Sequence, residues 1–171
     1  SRQEEAFSLL GFQDSGIPLL LVVCQSMPEV PFRSALIEKA IKSCLAWRME
    51  RIVSSPMRNG YCVFIIQLAS GADSLSSKWL IASMERVQSV YNATCGEECA
   101  IYVSSVVNGI GRLPQLYKDI SESLQEDGFV SCVRLIADNR DVSTHVTVRF
   151  IKNYVKTNIG NDLSLSQISE V

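Results

Sequence analysis

The stretch Arg51-Ile-Val-Ser-Ser-Pro-Met-Arg-Asn-Gly-Tyr-Cys-Val-Phe-Ile-Ile-Gln-Leu68 decides the fold. Two strand-like runs, Arg51 to Ser55 and Tyr61 to Leu68, flank Arg58-Asn59-Gly60. Asn-Gly tolerates the positive φ that a tight hairpin turn demands, so the two runs are predicted to pair antiparallel. Pro56 cannot donate to a ladder, which marks the first run as short or at a sheet edge.

Upstream, Ile17 to Gln25 is a continuous apolar run opened by Gly16 and closed by Pro28 and Pro31. A run with no polar alternation predicts a strand buried on both faces. From Phe32 or Arg33 to Arg51 the period becomes helical, with Leu36, Ala40, Cys44 and Ile37, Ile41, Leu45 on one stripe. Downstream, Leu80, Met84, Val87 and Tyr91, with Trp79 beside them, predict a helix from about Ser74 to Asn92. Ala100 to Val107 reads as a strand, Asn108 to Gly111 as a loop, and Leu113 or Pro114 opens a helix to about Glu126. Proline suits that first-turn position. Phe129 to Ile136 reads as the last strand. The order β-α-β-β-α-β, then α-β, predicts an α+β fold. It is a ferredoxin-like split βαβ sandwich with helices on one face of a sheet, extended by a helix and a strand.

Residues 1–15 read as the end of a linker helix, 16–138 as the sandwich, and 139–171 as a linker into a second, helical part. In His145 to Val171, Val148, Ile151 and Val155 with Phe150 and Tyr154 recur at helical steps, while Arg149, Lys152 and Lys156 point elsewhere. Asn158, Gly160 and Asn161 break the period. Ser164 and Gln167 then form a capping box, with Leu163 and Ile168 at the positions of a hydrophobic staple. Only Leu165 to Val171 follow, too short a helix to stand alone in water.

Composition narrows the function classes. Of the 171 residues 47% are hydrophobic, enough for a core, and the net charge is −2. With a pI near 5.5, this chain itself is not expected to bind nucleic acid, which calls for a basic face. No run of eighteen apolar residues is present, so no membrane partner is expected. The six cysteines, Cys24, Cys44, Cys62, Cys95, Cys99 and Cys132, are scattered and mostly inside apolar runs. They read as free, buried thiols of a reduced cytoplasmic protein. Cys95-Gly-Glu-Glu-Cys99 is the one close pair, and as a metal site it would need two more ligands; the chain has a single His, at 145.

Asn161-Asp-Leu-Ser-Leu-Ser-Gln-Ile-Ser169, after a helix rich in Ile, Tyr and Lys, resembles the opening of the AraC-type DNA-binding domain. The element order with its central hairpin resembles the GGDEF domain of diguanylate cyclases. Gly109-Ile-Gly111 followed by Leu-Pro-Gln-Leu-Tyr-Lys-Asp-Ile-Ser-Glu-Ser-Leu124 is closer still to the degenerate GGDEF-like segment of YesN-type response regulators. There that segment stands directly before an AraC-type domain. The resemblance implies an upstream phosphorylatable receiver domain, a downstream helix-turn-helix domain that contacts DNA in the full-length protein, and a possible homodimer.

Cyclase chemistry needs carboxylates to hold Mg²⁺ against triphosphate oxygens. In the family these come from the end of the first strand and from the hairpin. Here the first strand ends Val23-Cys-Gln-Ser-Met-Pro28, with no acid before Glu29, and the hairpin reads Met57-Arg-Asn-Gly-Tyr-Cys62. No catalytic, cofactor-binding or metal-binding residue is therefore expected, no cofactor, and no enzymatic activity. Gly109-Ile-Gly111 reads as a turn needing positive φ rather than a phosphate cradle. His145 reads as a surface or capping residue, and Trp47 and Trp79 as core or interface. Arg33, Arg48, Arg51 and Arg58 are candidates for an anion patch by the hairpin. The expected function is a non-catalytic signal-coupling domain of an AraC-type, two-component transcription regulator. The alternative is a small-molecule or nucleotide sensor using the degenerate cyclase cleft.

Overall fold

The computed structural model describes residues 11, 16–55, 60–71 and 75–137. The chain divides into two compact units, Ser1–Asp138 and Asn139–Val171, and the described residues all belong to the first. The expectations made for 145–171 and for the hairpin tip at Arg58 and Asn59 lie outside the described residues.

The elements run β1 (Pro18–Ser26), α1 (Ser34–Leu45), β2 (Met49–Ser54), β3 (Tyr61–Leu68), α2 (Ser77–Cys95), β4 (Cys99–Ser104), β5 (Val107–Asn108), a 3-10 turn (Ile110–Arg112), α3 (Leu113–Asp127) and β6 (Val133–Ile136). The fold is a mixed α+β one, with six strands and three helices among the described residues. The sheet order is β2-β3-β1-β4-β6, with β5 pairing β1 off this path. β1 lies antiparallel to both β3 and β4, and β6 lies parallel to β4. Central β1 is closed on both faces: Leu19 to Cys24 are each at most 2% exposed.

The pleat sends alternate residues to opposite faces, and each face has its own core. Leu20, Val22 and Cys24 of β1, Phe64 and Ile66 of β3, and Ile101 and Val103 of β4 meet α1 and α2. Leu19, Leu21, Val23, Ala100 and Tyr102 meet Leu113, Leu116, Ile120 and Leu124 of α3. Thus α1 and α2 share one face, as expected of the first six elements, and the added helix α3 takes the other. Over β2 and β3 that second face carries only half-buried residues, Val53, Tyr61, Val63 and Ile65.

Several boundaries differ from the sequence expectation, each for a local reason. α1 stops at Leu45, six residues early. A turn with the Arg48 amide on the Leu45 carbonyl (2.9 Å) swings the chain so that Met49 pairs with Leu68. α2 starts three residues later than Ser74, because the Ser76 hydroxyl accepts from the Trp79 amide at 3.1 Å and caps the helix. It runs on to Cys95, where Gly96 at φ 71° closes it on the Asn92 carbonyl. β4 ends at Ser104 rather than Val107. The Ser104 hydroxyl accepts from the buried Leu21 amide at 2.9 Å, which fills the place of a ladder bond, and Val107–Asn108 rejoins β1 further on. β6 keeps only Val133–Ile136 of the expected run.

Candidate functional site

In a cyclase-like sheet the chemistry belongs at the hairpin end, where β1 stops and β2 turns into β3. That end is held shut by the backbone: the Ser26 amide reaches the Gly60 carbonyl (3.4 Å) and the Ser55 amide the Val63 carbonyl (2.8 Å). Gly60 takes φ 79°, the conformation the Asn-Gly reading anticipated. The side chains here are Gln25, Ser26 and Met27 from β1 and its exit, and Ser55 before the turn. Glu29, the first acid after β1, is exposed, at a non-glycine φ of 67°. Among the described residues no group of three or more His, Cys, Asp or Glu side chains is arranged to hold a metal ion.

Beneath this end sits a cluster of thiols and a phenol. Cys24 faces Cys62 directly across the β1–β3 ladder, and Cys99 enters from β4 opposite Ser26. Cys24, Cys62 and Cys99 are fully buried. Burial pushes the Cys62 thiol up to about 11, helped by the charge of Glu38. Burial, then Cys95, pushes Cys99 to about 12. Cys24 is also raised well above its ordinary value, by burial and then by Cys99 and Cys62. Tyr91 packs its ring on Phe32 at 5.5 Å, its hydroxyl accepts from the Arg33 amide at 3.3 Å, and burial is the main cause that raises it to about 12. All four groups are therefore neutral and protonated at pH 7. They fill the space under the hairpin with small apolar volume and offer a cation nothing to bind.

The other sequence candidates are dispersed. Arg33 lies at the start of α1, at the hairpin end. Arg48 and Arg51 lie toward the far end of β2, and Arg58 is outside the described residues, so no shared anion patch forms among the three described arginines. Cys95 is half-buried, with its thiol on the Tyr91 carbonyl at 3.2 Å, and packs against the same core that buries Cys99; among the described residues the pair belongs to no group of three or more metal-ligating side chains. Gly109 forms a turn at φ 79° whose amide binds the Ile17 carbonyl at 2.9 Å. Trp79 is half-buried, whereas Trp47 is 70% exposed.

Sequence reasoning missed two arrangements. Tyr102 on β4 donates its hydroxyl to Asp127 Oδ2 at the end of α3 (3.0 Å), and Arg134 of β6 ion-pairs with the same oxygen. Burial, then this carboxylate, holds the Tyr102 phenol well above its ordinary range. Nothing in the sequence links Asp127 to a phenol 25 residues earlier. The second is a cleft of about 430 Å³ lined by Gly16, Pro18, Glu50, Gln67 and Ser70 among others. Across it Gln67 donates to Glu50 at 2.8 Å. It lies at the end of the sheet opposite the hairpin, not where the degenerate cyclase cleft was expected.

No helix among the described residues is long and apolar enough to cross a membrane. No family model matches the chain, and no curated protein matches it. Among solved structures, it is similar to the crystal structure of a regulator of polyketide synthase expression from Bifidobacterium adolescentis. The identity is 15% and the TM-score 0.51, over 97% of this chain and 69% of that one. It also aligns with a hydantoinase/carbamoylase family amidase from Burkholderia ambifaria at 15% identity and a TM-score of 0.29, over 72% of this chain and 36% of that one; so low a score carries no argument. What the first likeness shows is a shared fold, the mixed α+β arrangement built around β1.

Proposed function

We propose that the domain is a non-catalytic coupling element of a bacterial transcription regulator of the AraC type. In this reading it is a ferredoxin-like, GGDEF-like sandwich whose catalytic acids are gone. The observation that carries the reading is the hairpin end itself. Where a cyclase needs carboxylates around a cation, this chain places Gln25, Ser26 and Met27 above protonated, buried Cys24, Cys62 and Cys99. The strand order β2-β3-β1-β4 with α1 and α2 on one face supports the split βαβ reading, with α3–β6 as the added unit. The name of the Bifidobacterium protein, a regulator of expression, agrees with a regulatory role.

The topology suits a coupler. β1 begins, and β6 ends, at the same end of the sheet, because β1 is antiparallel to β4 and β4 parallel to β6. Two strand spacings separate them, roughly 10 Å. Incoming and outgoing chain thus leave the sandwich side by side, so a rearrangement in one is felt by the other through β4. The receiver domain upstream, the helix-turn-helix domain downstream and dimerisation follow from the family resemblance. The sensor reading has one observation in its favour, the cleft of about 430 Å³ beside Gly16 and Pro18, where the chain enters β1.

Electrophoretic mobility shift is the test. The coding sequence beyond Val171 is expected to supply about seventy residues with two helix-turn-helix patterns. A protein carrying them should retard its own promoter DNA at nanomolar concentration, typical of specific binding. The present 171 residues should not, at concentrations at least a hundredfold higher. Equal retardation by both chains, or none by the longer one, would overturn the assignment.

A further inference from the structure

The turn after α1 and the first turn of α2 build a surface that the coupling role does not use. The Arg48 guanidinium carbon lies 4.0 Å from the centre of the Trp47 ring and 5.3 Å from that of Trp79. Trp79 is half-buried against the core, and Trp47 stands 70% exposed. The Arg48 Nε is buried with no hydrogen-bond partner, and among the described residues no carboxylate pairs with this side chain. Stacking engages the flat faces of the guanidinium and Nε is turned inward, so the edge left for a partner is that of the two terminal Nη groups. That planar edge is the shape a carboxylate accepts two parallel hydrogen bonds from.

Lys42, in the last turn of α1, and Lys78, in the first turn of α2, are exposed at the same end. A chain of net charge −2 thus presents a cationic, aromatic corner. Arginine and tryptophan are the residues most enriched where protein partners bind tightly. We propose that this corner docks a protein segment carrying a carboxylate beside an apolar side chain: the carboxylate on the Arg48 edge, the apolar group on the outer face of Trp47. Charge complementarity selects an acidic partner. A protein is favoured over single-stranded nucleic acid, because such binders line a positive groove with successive stacking platforms, and here one indole face is open. This docking surface stands or falls independently of the coupling reading.

The test uses the fact that Trp47 and Trp79 are the only two tryptophans in the chain, so intrinsic emission reports on this site alone. The 171-residue chain is titrated with a capped tetrapeptide of two leucines flanked by glutamates, with the same peptide bearing glutamines, and with oligothymidylate. A saturable change in emission with the glutamate peptide is expected. The affinity should fall at least tenfold with the glutamine peptide and with Arg48→Gln. Trp47→Ala, which removes an exposed side chain and no buried core, should weaken binding similarly when followed through Trp79. No saturable response into the millimolar range, equal responses to both peptides, or a response to oligothymidylate alone overturns the proposal.

Discussion

Phe64→Ala is expected to lower the stability of the domain by about 3–5 kcal/mol, the usual cost of emptying a buried phenylalanine site. Phe64 is 0% exposed. It sits on the face of β3 that α1 and α2 cover, opposite Val22 of β1 and Ser54 of β2. The buried cluster it belongs to draws side chains from β1, β3, β4, α1 and α2, so the cavity cannot be closed by moving one element. A domain of this kind has only about 5–15 kcal/mol in hand, so the loss takes a large share. Urea denaturation followed by far-UV circular dichroism should show a lower midpoint with an unchanged slope. Ile65→Ala, one residue along, faces the part of the sheet that α3 leaves half-covered, and should cost about half as much or less. Equal losses at the two positions would mean that the main core is not on the α1–α2 face.

Raising the pH from 9 to 12 is expected to unfold the domain, ahead of any effect from its arginines. Cys62, Cys99 and Tyr91 are acids whose folded values, about 11, 12 and 12, stand above the ordinary 9.0 for a thiol and 10.0 for a phenol. The folded state therefore holds its protons more tightly than the unfolded one. The stability this represents is complete below pH 9 and is lost as the pH rises toward 12. One unit of displacement corresponds to about 1.4 kcal/mol. Even a fraction of the displacement at three sites reaches a few kcal/mol once screening is allowed for. A midpoint of denaturation that falls steadily above pH 9, and less steeply in Cys99→Ala, is the predicted result. A flat profile to pH 11 would show that these groups reach solvent in the folded state.

Much of the fold could be read from residue patterns alone, and the reasons it could are local. β3 runs from Tyr61 to Leu68 as read, because Asn-Gly fixes its start and the loop at Ser70–Gly71 its end. β1 shifts by one residue, because an all-apolar run is unambiguous about burial and vague about ends. Boundaries failed where a distant partner decides them. β4 ends at Ser104, whose hydroxyl serves the Leu21 amide, 83 residues away. Met49 is drawn into β2 by pairing with Leu68. Which of the serines around 74–77 caps α2 is settled by which hydroxyl the Trp79 amide can reach. The hairpin end was legible as a place lacking acids. That thiols from β1, β3 and β4 would gather there was not, since strand order brings together residues 24, 62 and 99. Arg48 between Trp47 and Trp79 escaped for the same reason: 31 residues separate its second indole from the turn.

Isothermal titration of the 171-residue chain with GTP in the presence of Mg²⁺ tests the central claim most directly. The account predicts no saturable heat up to millimolar nucleotide and no cyclic dinucleotide in the mixture. The buried end of the sheet offers Mg²⁺ protonated thiols and a glutamine where carboxylates would be needed. Mg²⁺-dependent binding in the micromolar range, or turnover of GTP, would contradict it.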